Sequence, residues 1–485
     1  MLFNSPEFFF LFLPSVVAGY FLLNAAGQVV PGKIWLLSAS LFFYGYWKPE
    51  YLGLIILSIL VNFSVGICIS RLRRPATPSS SARVALGVGI FFNLGLLGYF
   101  KYADFFIANV NAMAGTHWPV LELVLPLAIS FFTFQQIAYL VDTYQGKVED
   151  SHFIDYCIFV TFFPQLIAGP IVHHRQMMPQ FARLGTRQVN WETLCQGVFI
   201  FAMGLFKKVF IADSFAAFAD QGYSAHESLG MMEAWATTLS YTLQLYYDFS
   251  AYSDMAIGAA LMLNIRLPVN FDSPYKSFSI REFWRRWHIS LSSWLRDYVY
   301  VPLGGNRLGV RRTYINLFLT FLLGGLWHGA GWTFVIWGCL HGLALMAHRA
   351  WMAAGLRLPA SLAWLLTFLF VHLAWVFFRA ESLQQAVSML SIMFGAGSHG
   401  FAALPEGLGI GTGLLGTPPL YYLLGFGFVA FVLPNTLQVS GFLEYRGRFA
   451  YRRGWLSAMF VACALFFALV SATTNAPSAF LYFNF

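Results

Sequence analysis

Apolar runs of about twenty residues, the length a helix needs to cross roughly 30 Å of hydrocarbon, recur from one end of this 485-residue chain to the other. They predict membrane spans near 7–23, 33–47, 52–70, 84–100, 119–141, 194–212, 233–263, 313–330, 332–350, 361–378, 418–435 and 455–472. Between 153 and 174 the run is equally apolar, but Pro164 and Gly169-Pro170 interrupt it. A broken backbone at membrane depth needs protein or trapped water around its freed polar groups, so this stretch reads as re-entrant and not as a full crossing. The pattern predicts an all-α integral membrane protein, one domain over 1–485, with roughly 11–13 transmembrane helices plus re-entrant segments.

Composition sharpens this. The chain is 58% hydrophobic and 10% charged, where a soluble domain carries about a quarter charged residues. A net charge of +8 raises nucleic acid as a ligand, but that needs a basic, water-facing module. Here Lys and Arg sit in short loops between apolar runs, the bias that marks cytoplasmic loops, and no nucleic-acid partner is expected. The bias puts three segments in the cytosol: 71–83, with Arg71, Arg73, Arg74 and Arg83; 265–312; and 440–454, with Arg446, Arg448, Arg452 and Arg453. It puts 213–232, which has Asp213, Asp220 and Glu227 but no Lys or Arg, outside. Lys207 and Lys208, near the outer end of a span, count against it. With no Lys or Arg before Lys33, the first helix lacks the basic region of a cleavable leader and is expected to stay. The five cysteines are far apart and form no CxxC pair, so they read as packing residues and not as a metal site.

The 265–312 segment carries nine Lys or Arg residues interleaved with Trp284, Trp287, Trp294, Tyr298 and Tyr300. One reading is an interfacial helix held at the headgroups by its Trp and Arg side chains. The other is the cytosolic mouth for an anionic or carrier-bound donor, where the Arg285 and Arg286 guanidiniums suit phosphate or carboxylate.

His328, in LLGGLWHGAGW, is an ionisable group in an apolar run, which makes it a functional candidate. A helix from Thr313 carries it roughly 22 Å from the cytosolic boundary. Gly324, Gly325, Gly329 and Gly331 around it allow close helix approach or an irregular backbone. Spacing alone leaves two readings open, a reactive imidazole or a buried one bonded to a carbonyl. His288, forty residues earlier, is the second candidate, placed where a tight fold puts the two at opposite ends of one passage. His341 and His348 share a helical face and read as packing or interfacial residues, since no carboxylate or Cys sits at a spacing that completes a metal set. Asp248 and Asp254 lie in LQLYYDFSAYSDMAIGAA, where a carboxylate must be paired or solvated. Gly411, Gly413 and Gly416 match a dinucleotide fingerprint without its strand–helix context.

Four segments together carry a resemblance: FFPQLIAGPIVHHRQM at 162–177, YYDFSAYSDMAIG at 246–258, NFDSPYKSFSIREFWRRWHISLSSWLRDYVYVPLGGNR at 270–307, and GGLWHGAGWTFVIWGCLHG at 324–342. They are similar to the membrane-bound O-acyltransferase family, in particular its alginate-acetylating branch, as are WVFFRAESLQQA at 375–386 and SAFLYFNF at 478–485. The resemblance implies a ring of tilted helices around a funnel or tunnel, with His328 as the principal catalytic residue and His288 as the second. Arg285, Arg286, Trp327 and Asp254 join them as substrate-binding candidates. It further implies a bacterial inner-membrane enzyme that takes acetyl from a cytosolic thioester, such as acetyl-CoA or an acyl carrier protein, with no tightly bound cofactor. Periplasmic acetylation proteins of an exopolysaccharide export complex are the implied partners, besides membrane lipids. Alginate is the polymer to expect first; another glycan, or D-alanyl export to teichoic acid, is the alternative. Direct transfer is expected to use neutral His328 as base, with His288 polarising the thioester or orienting the acceptor. Two other classes compete: a transporter or channel with Asp254 and His328 on its ion path, though no repeat is evident, and a non-catalytic scaffold.

Overall fold

The computed structural model describes residues 1–73, 79–148, 152–167, 169–396, 419–444, 454–474 and 480–481. Arg74, the four arginines at 446–453, the glycines at 411–416 and most of 478–485 lie outside the described residues. Among the described residues the regular structure is helical throughout, as it must be where no water is at hand to satisfy backbone N–H and C=O groups. Five helices are long and apolar enough to cross a membrane: Glu7–Ala25, Glu50–Leu72, Ser80–Ala114, Trp191–Ser224 and Ala360–Arg379. This is a multi-pass membrane protein. The other expected spans fall on helices Val29–Gly45, Met231–Met262, Gly309–His328, Trp332–Ala353, Pro419–Val432 and Trp455–Thr474, with one exception.

The exception is 119–141. Its helix begins only at Ile129, and the residues before it are irregular, with Glu122 and Ala128 at positive φ. Pro119 and Pro126 remove donors and push the residues ahead of them out of helical geometry. The helix expected at 84–100 runs on to Ala114 through a π-helical turn at Gly98–Tyr102.

Contacts divide the chain into two compact units, Met1–Phe201 with Met255–Pro268, and Ala202–Asp254 with Val269–Phe485. In the first, 153–174 is broken where its prolines and glycine predict, into helices Phe153–Thr161 and Phe163–Leu166 and an irregular stretch before His174. Protein covers the break: Phe162, Phe163 and Val172 are fully buried. The Phe163 N–H donates to Ser40 Oγ at 3.2 Å and the Gln165 amide donates to the Phe159 carbonyl at 2.7 Å, so the freed backbone groups find partners inside the unit. Asn62 and Asn93 exchange amide hydrogen bonds of 3.2 and 2.6 Å between two apolar helices, the polar glue expected of membrane packing.

In the second unit, helices Gly309–His328 and Trp332–Ala353 form a hairpin packed backbone to backbone. A methyl at Gly338 would meet the Phe321 carbonyl oxygen at 2.5 Å, and one at Gly325 would collide with the Phe334 carbonyl. The small-residue pairing lets the axes approach, so these glycines serve helix contact. The 265–312 segment is not one interfacial helix. It folds into two short helices, Ile280–Arg286 and Ile289–Leu295, and Trp284, Trp287 and Trp294 are buried against rings such as Trp337 and Trp375, not displayed to headgroups.

Candidate active site

His328 is the last residue of its helix and is 3% exposed. The chain leaves it through Gly329, which packs under the Phe334 ring so closely that no side chain would fit. Three aromatic rings surround the imidazole: Trp327 and Trp337 at 5.0 Å and Phe378 at 5.1 Å between centroids. Trp327 also meets the His288 ring at 6.3 Å. The two histidines thus share one indole neighbour.

His288 joins the two short helices with a left-handed backbone, φ +42°, a costly conformation for a non-glycine residue that persists only where the surroundings hold it. Its Nδ1 lies 3.0 Å from Asn270 Oδ1. The same oxygen accepts from the Ser290 hydroxyl at 2.8 Å, while the Asn270 amide donates to Ser253 Oγ at 3.2 Å. These contacts orient the Asn270 amide and therefore the tautomer: Nδ1–H donates, and Nε2 carries the lone pair. Burial pushes the imidazole down to a pKa of about 3, so the ring is neutral at physiological pH. A group that far below neutrality is a poor proton acceptor, and its Nε2 is suited to accepting a hydrogen bond from a substrate. Asn270 was not among the residues singled out from the sequence, where an Asn in NFDSPYK has no spacing that ties it to His288.

The remaining candidates lie elsewhere. Asp254 pairs with Lys207 at 2.7 Å, and Asp248 with Lys208 at 2.9 Å. Lys208 also reaches Asp213 at 2.6 Å. The lysines sit on a π-helical turn, Lys207–Ala212, the kind of bulge that re-aims side chains in a helix, and both reach carboxylates of one neighbouring helix. This answers the objection the two lysines raised to the charge bias: they are ion-pair partners inside the protein. Neighbouring Arg285 and Arg286 diverge. Arg286 pairs with Glu282 at 2.9 Å and donates to the Asp272 carbonyl at 3.2 Å, whereas Arg285 lines two cavities. His341, fully buried, accepts the Trp284 indole N–H at 3.2 Å and packs as expected.

One of those cavities, about 580 Å³, has Arg281, Arg285, Arg296 and Arg349 in its wall together with Trp284 and Phe321. A third cavity, about 630 Å³, is lined by Lys208, Asp213, Asp220, Asp248, Arg379 and Glu381, and by the Ala330–Gly331 turn that follows His328. The helix Trp332–Ala353 borders this cavity at its start and the arginine-lined one at its end, a separation of roughly 24 Å along sixteen residues. Between them the rings of Trp284, Trp337, His328 and Phe378 follow one another at 5.8, 5.0 and 5.1 Å.

The sequence model for the membrane-bound O-acyltransferase family matches residues 118–384, which include every candidate residue above. The chain is 44% identical to the peptidoglycan O-acetyltransferase of Helicobacter pylori, over all of this chain and 98% of that one. It is 42% identical to the probable alginate O-acetylase AlgI of Pseudomonas aeruginosa, over 88% of this chain and 81% of that one. Similarity extends to the teichoic acid D-alanyltransferase of Bacillus subtilis, 28% identical over 55% of this chain and 71% of that one.

Proposed function

Because the chain belongs to the membrane-bound O-acyltransferase family, and is therefore an O-acyltransferase, we propose that it takes acetyl from a cytosolic thioester and delivers it across the inner membrane to a hydroxyl of an extracytoplasmic glycan. Acetyl-CoA or an acyl carrier protein is the donor, and periplasmic acetylation proteins are the partners. Alginate and peptidoglycan are the polymers named for relatives. Both present hydroxyls to the same chemistry.

The observation that carries this reading is the position of His328, in a run of rings between an arginine-lined cavity and a carboxylate-lined one. Arg285 and its neighbours suit the phosphates of a donor at one end. The thioester is already activated, so the step needs a base, carbonyl polarisation and alignment. The acceptor oxygen attacks the thioester carbonyl while His328 takes the hydroxyl proton. The tetrahedral intermediate collapses, the C–S bond breaks, and the departing thiolate recovers the proton from His328 to leave as thiol. His288, held neutral with Nδ1–H on Asn270, keeps Nε2 as a hydrogen-bond acceptor that orients the acceptor hydroxyl.

The test is transfer of labelled acetyl by the purified full chain in proteoliposomes, with candidate donors supplied one at a time. His328→Gln, which keeps a hydrogen-bonding amide but cannot take the proton, is expected to lose about 10²–10⁴ in rate with the protein still inserted. Transfer by that variant at close to the unmodified rate makes His328 structural and ends this mechanism.

A further inference from the structure

The cavity of about 630 Å³ beyond His328 falls within the ~300–1,000 Å³ of small-molecule sites, and its polar groups are not all accounted for. Tyr241, fully buried, and Gln244, 5% exposed, both line it. The Tyr241 hydroxyl and Gln244 Oε1 have no hydrogen-bond partner among the described residues. Buried polar atoms left this way ordinarily have a ligand or water to complete them. The charges have a sign. Lys208 and Arg379 face Asp213, Asp220, Asp248 and Glu381, so carboxylates outnumber cations by two. The cations are also engaged: Lys208 lies between Asp213 and Asp248, and Arg379 bonds Asp220 at 2.8 Å. Phe334 and Phe378 complete the wall.

Carboxylates and an amide to accept hydroxyl protons, with aromatic rings to cover apolar faces, make a wall suited to a sugar. Its net negative charge opposes any anion that enters. We propose that this cavity is the acceptor site, that it binds an uncharged glycan segment, and that it discriminates against polyuronates. This deepens the acyl-transfer reading and rests on it for the word acceptor. The lining residues Asp213 and Asp220 fall in the 213–232 segment that the charge bias along the chain assigns to the outer side, where such a glycan would be met.

The experiment is equilibrium binding to the full chain in lipid nanodiscs, with a tetramer of β-linked N-acetylglucosamine as the uncharged probe and a mannuronate tetramer as the anionic one. The uncharged sugar is expected to bind at least about tenfold more tightly at low salt, with the gap narrowing as salt screens the wall. Gln244→Leu should weaken the uncharged sugar about fivefold or more. Glu381→Gln, at an exposed position, removes one negative charge from the wall and should narrow the gap between the two sugars about threefold. Equal or tighter uronate binding overturns the proposal, as does no saturable binding of either sugar, or displacement of the sugar by a serine-containing peptide at lower concentration. Acetyl transfer from a labelled thioester is measured on the same preparation. Transfer without sugar selectivity overturns the cavity assignment and leaves the enzyme reading standing; selectivity without transfer does the reverse.

Discussion

Two parts of the second unit bury titratable groups in apolar surroundings by opposite means. At the π-helical turn, Lys207 and Lys208 keep their charges and are met by Asp254, Asp248 and Asp213 at 2.6 to 2.9 Å. Around His328 and His288 the neighbours include rings and an amide. The first arrangement removes the free-energy cost of a charge by pairing it, which leaves the group engaged. The second leaves the His288 imidazole uncharged, and an uncharged imidazole is the form that can accept a proton or a hydrogen bond. Partners thus decide which form an ionisable residue in a membrane run keeps: Asp254 is held by Lys207, whereas aromatic rings surround His328.

The contrast is broken most severely by removing one member of the charged set. Lys208→Met leaves Asp248 and Asp213 facing each other without their cation and is expected to cost about 3–5 kcal/mol of stability. Chemical unfolding in detergent measures this, and adding Asp248→Leu should restore a large part of the loss. If the single variant is as stable as the parent, the pairs are incidental.

A milder probe is pH. His288 is held near 3 by burial, against 6.5 for a free imidazole. Between those values the unfolded chain binds a proton that the folded chain refuses. The stability tied to this residue is thus complete above pH 6.5 and is lost as pH falls, by about 1.4 kcal/mol per unit. The slope of stability against pH below 6.5 should flatten in His288→Leu. An unchanged slope would mean the ring is protonated in the fold.

The smallest effect separates Arg285 from Arg286. Arg286→Gln loses partly exposed contacts to Glu282 and Asp272, worth about 0–1 kcal/mol, with donor use unchanged. Arg285→Gln is expected to raise the half-saturating donor concentration about three- to tenfold, the loss of one charge-assisted contact to phosphate, without changing stability. Equal behaviour of the two variants in a donor titration would remove the arginine-lined cavity from the mechanism.

Residues 119–141 show how local a legible feature must be. The hydropathy of that stretch is continuous, yet Pro119 and Pro126 delay its helix to Ile129, and a window average cannot weigh two missing donors. The break at 153–174 was legible because its prolines and glycine act on their immediate neighbours. The buried faces of Trp284 and Trp287 were not, since the same aromatic and basic pattern serves a headgroup anchor or an internal wall, and only the rings packed against them decide.

The sequence by itself determined that this chain is helical, lies in a membrane, and carries histidines in unusual company, because hydrophobic burial and backbone hydrogen bonding are settled within about twenty residues of chain. Its motifs also sufficed for the family. Tertiary structure alone decided that Lys207 meets Asp254 and Lys208 meets Asp248 across some forty residues, that Asn270 sets the tautomer of His288, and that Trp327 meets the His288 ring as well as its neighbour His328. These contacts bring together separate segments of the chain, and which side chains meet depends on how helices rotate and cross, which no local pattern encodes.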